Sequence, residues 1–319
     1  MSIRFSIVIC THNREALLSV ALKSACNQSV DPASYEVVVI DNNSSDGTRE
    51  IVHQFREQFR NVEYYFESQI GLSHARNCGW QNAKGSYIAY IDDDCKLPPD
   101  WLSVANRIVE KLSPGAFGGP AFLFFNGPGP DWFKESYNSR TMERGFLAKP
   151  SQLRGHNMVI RRNLLEDIQG FDPNLGMKGN KIAYGEETRF FECLVKKYPD
   201  EVLYFDPDFF LYHLVRPEKM SFPWLMRGFF AKGRYSYLTL HENSGRRFNN
   251  STLILNSSKL IVMIAYDLSL AALLRDRKKY RYLKNYFYEH TSHYLKSLGR
   301  LYAKHEVQRL KKTKRDAIA

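Results

Sequence analysis

Apolar and polar positions alternate in blocks over the first hundred residues of the chain. Four short runs rich in Val, Ile and Tyr are predicted strands: RFSIVIC, YEVVVID, VEYYFE and SYIAYID. Three amphipathic segments of about a dozen residues separate them as predicted helices: EALLSVALKSAC, TREIVHQFREQF and LSHARNCGWQNA. Nearly continuous apolar strands that alternate with helices predict an α/β fold, with a mainly parallel sheet covered on both faces.

Polar clusters follow three of these strands directly: THNRE, DNNSSDGT and DDDCKLPPD. The carboxyl ends of parallel strands meet at one edge of the sheet, where open α/β sheets bind their ligands. We therefore expect these three clusters to lie together in a binding site.

The pattern changes after a further predicted helix, Trp101–Leu112. A Gly/Pro-rich stretch, a helix with an acidic start (YGEETRFFECLVKKYP) and a strand-like run (EVLYFDPDFFLYHLV) follow, and from Ser221 the sequence is largely helical and aromatic. We predict an α/β catalytic domain over residues 1–220 and a helical, basic extension over 221–319.

The composition, 44% hydrophobic and 25% charged over 319 residues, is that of a globular protein. Its five cysteines are odd in number and include no CxxC pair, which argues against a disulfide framework or a zinc site and favours a reducing compartment. The N-terminus runs directly into a predicted strand rather than a signal peptide. We therefore expect a cytoplasmic protein.

The longest apolar run, LIVMIAYDLSLAALL at residues 260–274, has 15 residues and contains Asp267. Spanning a bilayer takes about 20 apolar residues. We expect a buried or interfacial helix.

The net charge of +11 is concentrated at the C-terminus. Residues 275–319 contain 14 Lys/Arg and 4 Asp/Glu, a charge of +10, against 31 minus 30, or +1, before them. A solvated basic helix is one interpretation. Because Tyr280, Tyr282, Tyr286, Phe287 and Tyr288 interleave with these charges, the other is peripheral contact with an anionic membrane, at its inner face. No nucleic-acid-binding motif accompanies them, and no nucleic acid is expected.

The acidic triplet Asp92, Asp93 and Asp94 ends the last of the four apolar runs. If strand geometry persists, Asp92 and Asp94 point to one face and Asp93 to the other. Two carboxylates at a ligand-binding edge suit Mn²⁺ or Mg²⁺, which completes its shell with substrate phosphates. A solvated acidic turn is the alternative for this motif alone.

Two further acidic features have structural alternatives of their own. Asp41 ends the second strand, where a carboxylate can bind a nucleoside, although DNNSSDGT is also a good turn. Glu186 and Glu187 stand at a predicted helix start, where the helix dipole favours negative charge, and either could serve as a general base.

The ordered set of motifs resembles the family-2 inverting glycosyltransferases, which have the GT-A fold and use nucleotide sugars. The motifs extend over roughly residues 5–235: SIVICTHNR, VVVIDNNSSDGT, GLSHARNCGW, YIAYIDDDC, GHNMVIRR, GFD, YGEETRF and YHLVRPEKMS. The resemblance implies transfer of a sugar from a donor, expected to be a UDP-sugar, to a glycan, lipid-linked or small-molecule hydroxyl in polysaccharide or glycolipid synthesis.

The resemblance also implies roles for individual residues. It assigns nucleotide binding to Thr11, Asn13, Arg14, Asp41, Arg76, Asn77, Asp92 and Asp93. It assigns the metal to Asp94, with Asp92 as a ribose or metal-shell contact and His213 facing metal and diphosphate, although a packed core histidine is the alternative. The family's Glu-Asp motif is Glu-Glu here, so Glu187 is the expected general base and Glu186 is placed on the acceptor side.

The segments FFNGPGPDWF and GHNMV resemble an acceptor region, with Trp132 as a sugar-stacking platform or a loop anchor, and with Asn157. Two other functions remain open at this stage. A nucleotidyltransferase would usually carry a Gly/Lys/Arg-rich phosphate loop, which CTHNREAL lacks. A non-catalytic protein that binds nucleotides or anionic surfaces would have no need of the intact acidic clusters.

Overall fold

The computed structural model describes residues 3–137, 142–148, 153–240 and 250–316. It divides into two compact units. Unit 1 comprises residues 1–126, 135–180 and 186–215, and unit 2 comprises 127–134, 181–185 and 216–319. The division into a catalytic domain over residues 1–220 and an extension over 221–319 stays a prediction.

Unit 1 is built on an eight-stranded sheet in the order β3-β2-β1-β4-β9-β6-β10-β8. A second sheet of three short strands has the order β5-β11-β7. The strands are β1 Phe5–Thr11, β2 Tyr35–Asp41, β3 Val62–Phe66, β4 Tyr87–Asp92, β5 Cys95–Lys96, β6 Ala116–Gly118, β7 Ala121–Phe124, β8 Gly145–Phe146, β9 Asn157–Arg161, β10 Leu203–Phe205 and β11 Leu211–Leu214.

The four N-terminal strands β1 to β4 are mutually parallel, as the sequence pattern predicts. The sheet as a whole is mixed, because β9 enters antiparallel between β4 and β6. The run EVLYFDPDFFLYHLV forms two strands, β10 and β11, and these belong to different sheets.

Helices cover both faces of the large sheet. The period of two along each strand sends Phe5, Ile7 and Ile9 of β1 to one apolar cluster and Val8 to the other. The helices of unit 1 are α1 Glu15–Cys26, α2 Thr48–Gln58, α3 Leu72–Asn82, α4 Trp101–Leu112, α5 Arg162–Ile168 and α6 Glu186–Lys197. Burial on both faces explains why the strands are apolar throughout rather than alternating.

Unit 2 is helical over its described C-terminal part: α7 Phe222–Leu240, α8 Asn250–Leu274, α9 Leu283–Tyr286 and α10 Ser292–Asp316. The backbones of α7 and α10 approach closely at two glycines. A Cβ on Gly233 would lie 1.9 Å from the Lys296 carbonyl oxygen, and one on Gly299 would lie 2.0 Å from that of Phe230. A bidentate pair between Arg234 and Glu306 fixes the same two helices.

Helix α8 carries the apolar run expected to be buried or interfacial. Residues 251–274 are long and apolar enough to cross a membrane, with a mean hydropathy of 1.6, and only 6% of this stretch is buried. A buried helix is therefore wrong for this run. By contrast, Tyr280 and Phe287, expected at the membrane surface, are buried at 6% and 1% exposure.

Candidate functional site

The polar clusters that follow β1, β2 and β4 lie side by side at the carboxyl edge of the large sheet. Strand β1 runs between the other two, and its register pairs Thr11 with Asp41 and Cys10 with Asp92. Residues that are 30 and 82 positions apart along the chain are thus neighbours, as expected for parallel strands.

The loops after β1 and β2 are tied together by side-chain hydrogen bonds. Asn13 accepts a hydrogen bond from the Ser45 backbone N–H at 2.7 Å, and its own N–H donates to the Ser44 hydroxyl at 2.9 Å. Glu15 accepts one from the Gly47 N–H at 2.6 Å. Asn13 adopts a left-handed conformation, with φ of 53°, that asparagine tolerates better than most residues. Thr11 is buried beside this pair of loops and Arg14 is partly exposed.

Asp41 is buried, and both of its carboxylate oxygens are used within the loop structure. Oδ1 accepts from the Ser44 N–H at 2.9 Å, and Oδ2 accepts from the Tyr64 hydroxyl at 2.8 Å. Burial and the neighbouring Asp41 carboxylate raise the pKa of Tyr64 to about 12. The turn interpretation of Asp41 therefore describes its contacts in the loop.

Asp92, Asp94 and His213 converge in a second cluster. The His213 Nε2 atom lies 2.9 Å from Asp94 Oδ1 and 3.7 Å from Asp92 Oδ2. The Asp94 side chain is 3% exposed, whereas that of Asp92 is 36% exposed. The Cys95 sulfur lies in the same group, with one ligand atom each of Asp94, Cys95 and His213 within 4.8 Å of one another.

The small sheet, rather than alternation along β4, brings these residues together. Strand β4 ends at Asp92, and Asp93 and Asp94 form a turn, so the assumed strand geometry does not persist. Antiparallel pairing sets His213 of β11 opposite Cys95 of β5, and the Leu214 N–H donates to the Asp94 carbonyl at 2.9 Å. Asp93 is partly buried, and this burial together with the Asp94 charge raises the pKa of Asp93.

Arg76 holds the glutamate pair at the start of α6. Its guanidinium is 3% exposed, with Nη1 at 3.1 Å from Glu186 Oε1 and 3.4 Å from Glu187 Oε1. Its cationic face also lies over the rings of Tyr90 and Phe171. The ion pair between Arg76 and Glu186 is therefore buried rather than on the surface.

One arginine faces two carboxylates, and the two glutamates respond in opposite directions. Burial, followed by the charge of Glu187, raises the pKa of Glu186. Burial opposes ionisation of Glu187 as well, but the Arg76 charge and a hydrogen bond with Glu186 outweigh it and lower the pKa of Glu187. The two shifts favour a proton on Glu186 and a negative charge on Glu187.

Two consecutive residues that sequence reasoning missed, Gly155 and His156, connect the clusters. A Cβ on Gly155 would lie 2.1 Å from Arg76 Nη2 and 2.2 Å from Glu187 Oε1, so only glycine leaves room for this ion pair. The His156 ring stacks on His213 at 5.0 Å between centroids and 14° between planes. The GHN motif, from which only Asn157 was singled out, contained this signal.

Three predicted site residues make contacts of a structural kind. Asn77 exchanges hydrogen bonds with the Phe171 backbone, with Nδ2 donating and Oδ1 accepting at 2.8 Å each. Asn157 is 1% exposed, and its side-chain N–H donates to the Phe209 carbonyl. Trp132 is buried in unit 2 at 6% exposure, where its carbonyl accepts a hydrogen bond from Asn285. These contacts favour structural roles, and for Trp132 the loop anchor over the stacking platform.

The donor set of the Asp92, Asp94 and His213 cluster fits a divalent cation. Two carboxylates and an imidazole suit Mn²⁺ and, less well, Mg²⁺, which prefers oxygen ligands alone. One of the carboxylates is partly exposed, so oxygens of a bound diphosphate could reach the same point. The thiol of Cys95 points to the His156 carbonyl and is a soft donor, so it is the least suited of the group.

Comparison with known proteins gives consistent results. The sequence model of glycosyl transferase family 2 matches residues 6–169, which is 164 of 319 residues. Glycosyltransferase AglE of Haloferax volcanii is 28% identical over 181 residues, 56% of this chain and 59% of that protein. GalNAc(5)-diNAcBac-PP-undecaprenol beta-1,3-glucosyltransferase of Campylobacter jejuni is 26% identical over 222 residues, 68% of this chain and 67% of that protein.

A solved structure supports the fold. The mannosyltransferase PcManGT from Pyrobaculum calidifontis, in complex with GDP-Man and Mn²⁺, superposes with a TM-score of 0.64 at 17% identity. The match covers 95% of this chain and 88% of that one. At this identity the likeness shows the fold, and it confirms the predicted GT-A architecture. Because the sequence model of glycosyl transferase family 2 matches more than half of the chain, the protein belongs to this family.

Proposed function

We propose that the protein transfers a sugar from a nucleoside-diphosphate donor to a hydroxyl of a glycan or lipid-linked acceptor, with inversion at the anomeric carbon. The observation that carries this proposal is the Gly155–His156 dipeptide. It lies against the ionised Glu187 on one side and against His213 on the other, so a base and a candidate metal site adjoin each other in unit 1.

Glu187 is the proposed general base. It is the ionised member of its pair, and its side chain is 25% exposed, so an acceptor hydroxyl can reach it. Glu186 stays buried and protonated and, with Arg76, fixes the orientation of Glu187. A single displacement needs one base and no second nucleophilic carboxylate, which matches this pair.

Asp94, Asp92 and His213 are the proposed holders of a divalent cation, with His156 supporting the imidazole. A bound Mn²⁺ or Mg²⁺ would stabilise the negative charge that develops on the leaving diphosphate. Thr11, Asn13, Arg14 and Asp41 would position the nucleoside from the interlocked loops after β1 and β2. The relative from Campylobacter jejuni, whose name gives an undecaprenol-linked acceptor, supports a lipid-linked acceptor here.

A donor screen tests the proposal. Thermal unfolding is measured with UDP, GDP and their common sugars, each with and without Mn²⁺, followed by NMR of the product's anomeric proton with the donor that binds. We expect the largest stabilisation when nucleotide and metal are both present, and an inverted product. Stabilisation by nucleotide that is independent of metal, or a retained configuration, would contradict the mechanism. The screen also identifies the nucleoside of the donor, which we expect to be uridine.

A further inference from the structure

Helix α8 of unit 2 presents a broad apolar surface to solvent. Val262, Leu273 and Leu274 are 65%, 78% and 74% exposed. Ile254, Leu255, Ile261, Met263, Tyr266 and Leu270 are exposed as well. An apolar patch of this size on a water-soluble surface usually marks an interaction site.

The opposite side of α8 packs within unit 2 and fixes which residues face outward. Asp267 accepts hydrogen bonds from the Tyr286 hydroxyl at 3.0 Å and from the Thr291 hydroxyl at 2.5 Å. Ala271, one turn further along, is 3% exposed. The acidic residue that interrupts the apolar run is therefore turned inward, and the outward band between Ile261 and Leu274 carries no charge.

A basic segment follows the exposed end of the helix. Residues 275–284 contain six Lys/Arg and one Asp, a net charge of +5. Arg277, Lys278 and Arg281 are exposed to solvent. An apolar band next to a cluster of cations matches the boundary between lipid headgroups and acyl chains.

A groove beside α8 repeats this combination. It has a volume of about 480 Å³ and lies among α7, α8 and α10. Its apolar walls include Tyr237, Leu260, Met263 and Leu301, and its cationic lining is Lys259, Arg300 and Lys304. Three cations around an apolar groove favour an anionic amphiphile over an uncharged apolar partner.

We propose that α8 lies in the plane of an anionic lipid bilayer, with its outward apolar face among the acyl chains and residues 275–284 and the groove cations on the headgroups. The 25-residue helix is about 37 Å long and could cross a bilayer by length alone. Crossing would draw Asp267 and the charged α10 beside it into hydrocarbon, which is costly. An in-plane helix keeps them out of the hydrocarbon.

The test is flotation of the full chain with vesicles of phosphatidylcholine alone or with phosphatidylglycerol. We expect binding to the anionic vesicles that weakens with salt. Leu273→Glu/Leu274→Glu should lower binding more than about tenfold. Arg277→Gln/Lys278→Gln should lower it about fivefold per charge at low salt. All four side chains are exposed or partly exposed in unit 2, so circular dichroism and the unfolding temperature should not change.

Matched variants in unit 1 serve as controls. Val20→Glu/Phe146→Glu introduces the same charges at exposed apolar positions, and Lys23→Gln/Lys111→Gln removes the same charges from exposed basic ones. Both should bind like the unmodified chain. If the control variants lost binding as strongly as the α8 variants, attraction would be due to overall charge and the proposal would be wrong.

Topology separates an in-plane helix from its alternatives. A membrane-impermeant maleimide added outside the vesicles should label Ser251→Cys and Arg277→Cys equally, above the background of the native cysteines. Protection of one end would establish a spanning helix and overturn the in-plane arrangement. If the chain ignores vesicles and light scattering shows a dimer that Leu273→Glu/Leu274→Glu dissociates, the face binds a second copy instead. None of these outcomes depends on sugar transfer, so they stand apart from the proposed function.

Discussion

Two acidic clusters of unit 1 differ in the group that the fold places against them. The glutamates of α6 face a guanidinium that is itself buried, at 3.1 Å from Glu186 and 3.4 Å from Glu187. The aspartates after β4 face the imidazole of His213, at 2.9 Å from Asp94. A guanidinium is always charged, whereas an imidazole can be neutral and offer a lone pair to a metal ion.

The difference indicates different tasks for the two clusters. The glutamate pair has a permanent internal cation, and the pKa of Glu186 is raised whereas that of Glu187 is lowered. The Asp92, Asp94 and His213 cluster is a set of convergent donors, which suits a cation that arrives with the substrate. This contrast supports the proposed roles, a general base at the first cluster and a metal site at the second.

The largest expected effect comes from removing the internal cation. Arg76→Met leaves the buried Glu186 and the partly exposed Glu187 without their partner, so the free energy of unfolding should fall by about 3–5 kcal/mol in urea titration. The same substitution in a Glu186→Gln/Glu187→Gln background should cost much less, because no charge is left unpaired. Arg4→Met, which removes an exposed pair with Glu110, should cost about 0–1 kcal/mol. Equal losses in both backgrounds would contradict the ion-pair explanation.

Next is the proposed base. Glu187→Gln should lower kcat about a thousandfold, since general-base catalysis contributes on the order of 10²–10⁴. Donor affinity should hardly change. Glu186→Gln, the matched control one residue away, should stay within about tenfold of the unmodified kcat because that side chain is already neutral. If Glu186→Gln lowered kcat more than Glu187→Gln, Glu186 rather than Glu187 would be the base.

On the side of the second cluster, Asp94→Asn keeps the shape of a buried side chain and removes its charge. We expect kcat to fall about a hundred- to a thousandfold, the usual cost of losing one charge-stabilising group. The Mn²⁺-dependent part of the stabilisation by nucleotide should disappear, whereas stabilisation by nucleotide alone should persist. An unchanged response to Mn²⁺ in calorimetry would show that the cation binds elsewhere.

Gly155→Ala tests the contact between the clusters. The new methyl group would collide with Arg76 and Glu187, and overpacking of this kind costs about 1–3 kcal/mol. We expect a lower unfolding temperature and a lower kcat together. Gly145→Ala is the control, because nothing lies within 4 Å of a Cβ at that glycine. A Gly155→Ala variant with unchanged stability and kcat would contradict the close contact of Gly155 with Arg76 and Glu187.

Stability should also depend on pH. Because the pKa of Glu186 is raised in the folded state, the folded chain binds more protons than the unfolded one above the ordinary value of 4.5, up to about 8. Its contribution to stability therefore falls as pH rises through this window. Glu186→Gln should remove that slope and gain on the unmodified chain as pH increases. Parallel unfolding curves for the two chains would contradict the raised pKa.

Local pattern was sufficient to predict several elements. Helices α1 and α4 and strand β2 have the bounds predicted from the sequence, because their periodicity and flanking polar residues are strong signals. The carboxyl-edge position of Asp41 and Asp92 follows from the parallel order of β1, β2 and β4. The family resemblance, which orders the same motifs along the chain, is confirmed.

Long-range pairing decided the rest. His213 meets Asp94 only because β11 pairs with β5, and Arg76 meets Glu187 only because α3 and α6 are brought together by the fold. The exposure of α8 could not be predicted from composition either, because an apolar run has the same sequence pattern whether or not a neighbour covers it.

The sequence by itself determined the α/β class, the order of the elements and which residue types stand at the strand ends. These depend on interactions between residues close together along the chain and on the period of the apolar pattern. The tertiary structure alone decided which carboxylates face an arginine, which face a histidine and which apolar helix is exposed among the described residues. Those properties depend on distances and burial, which arise only when segments far apart in the chain pack together.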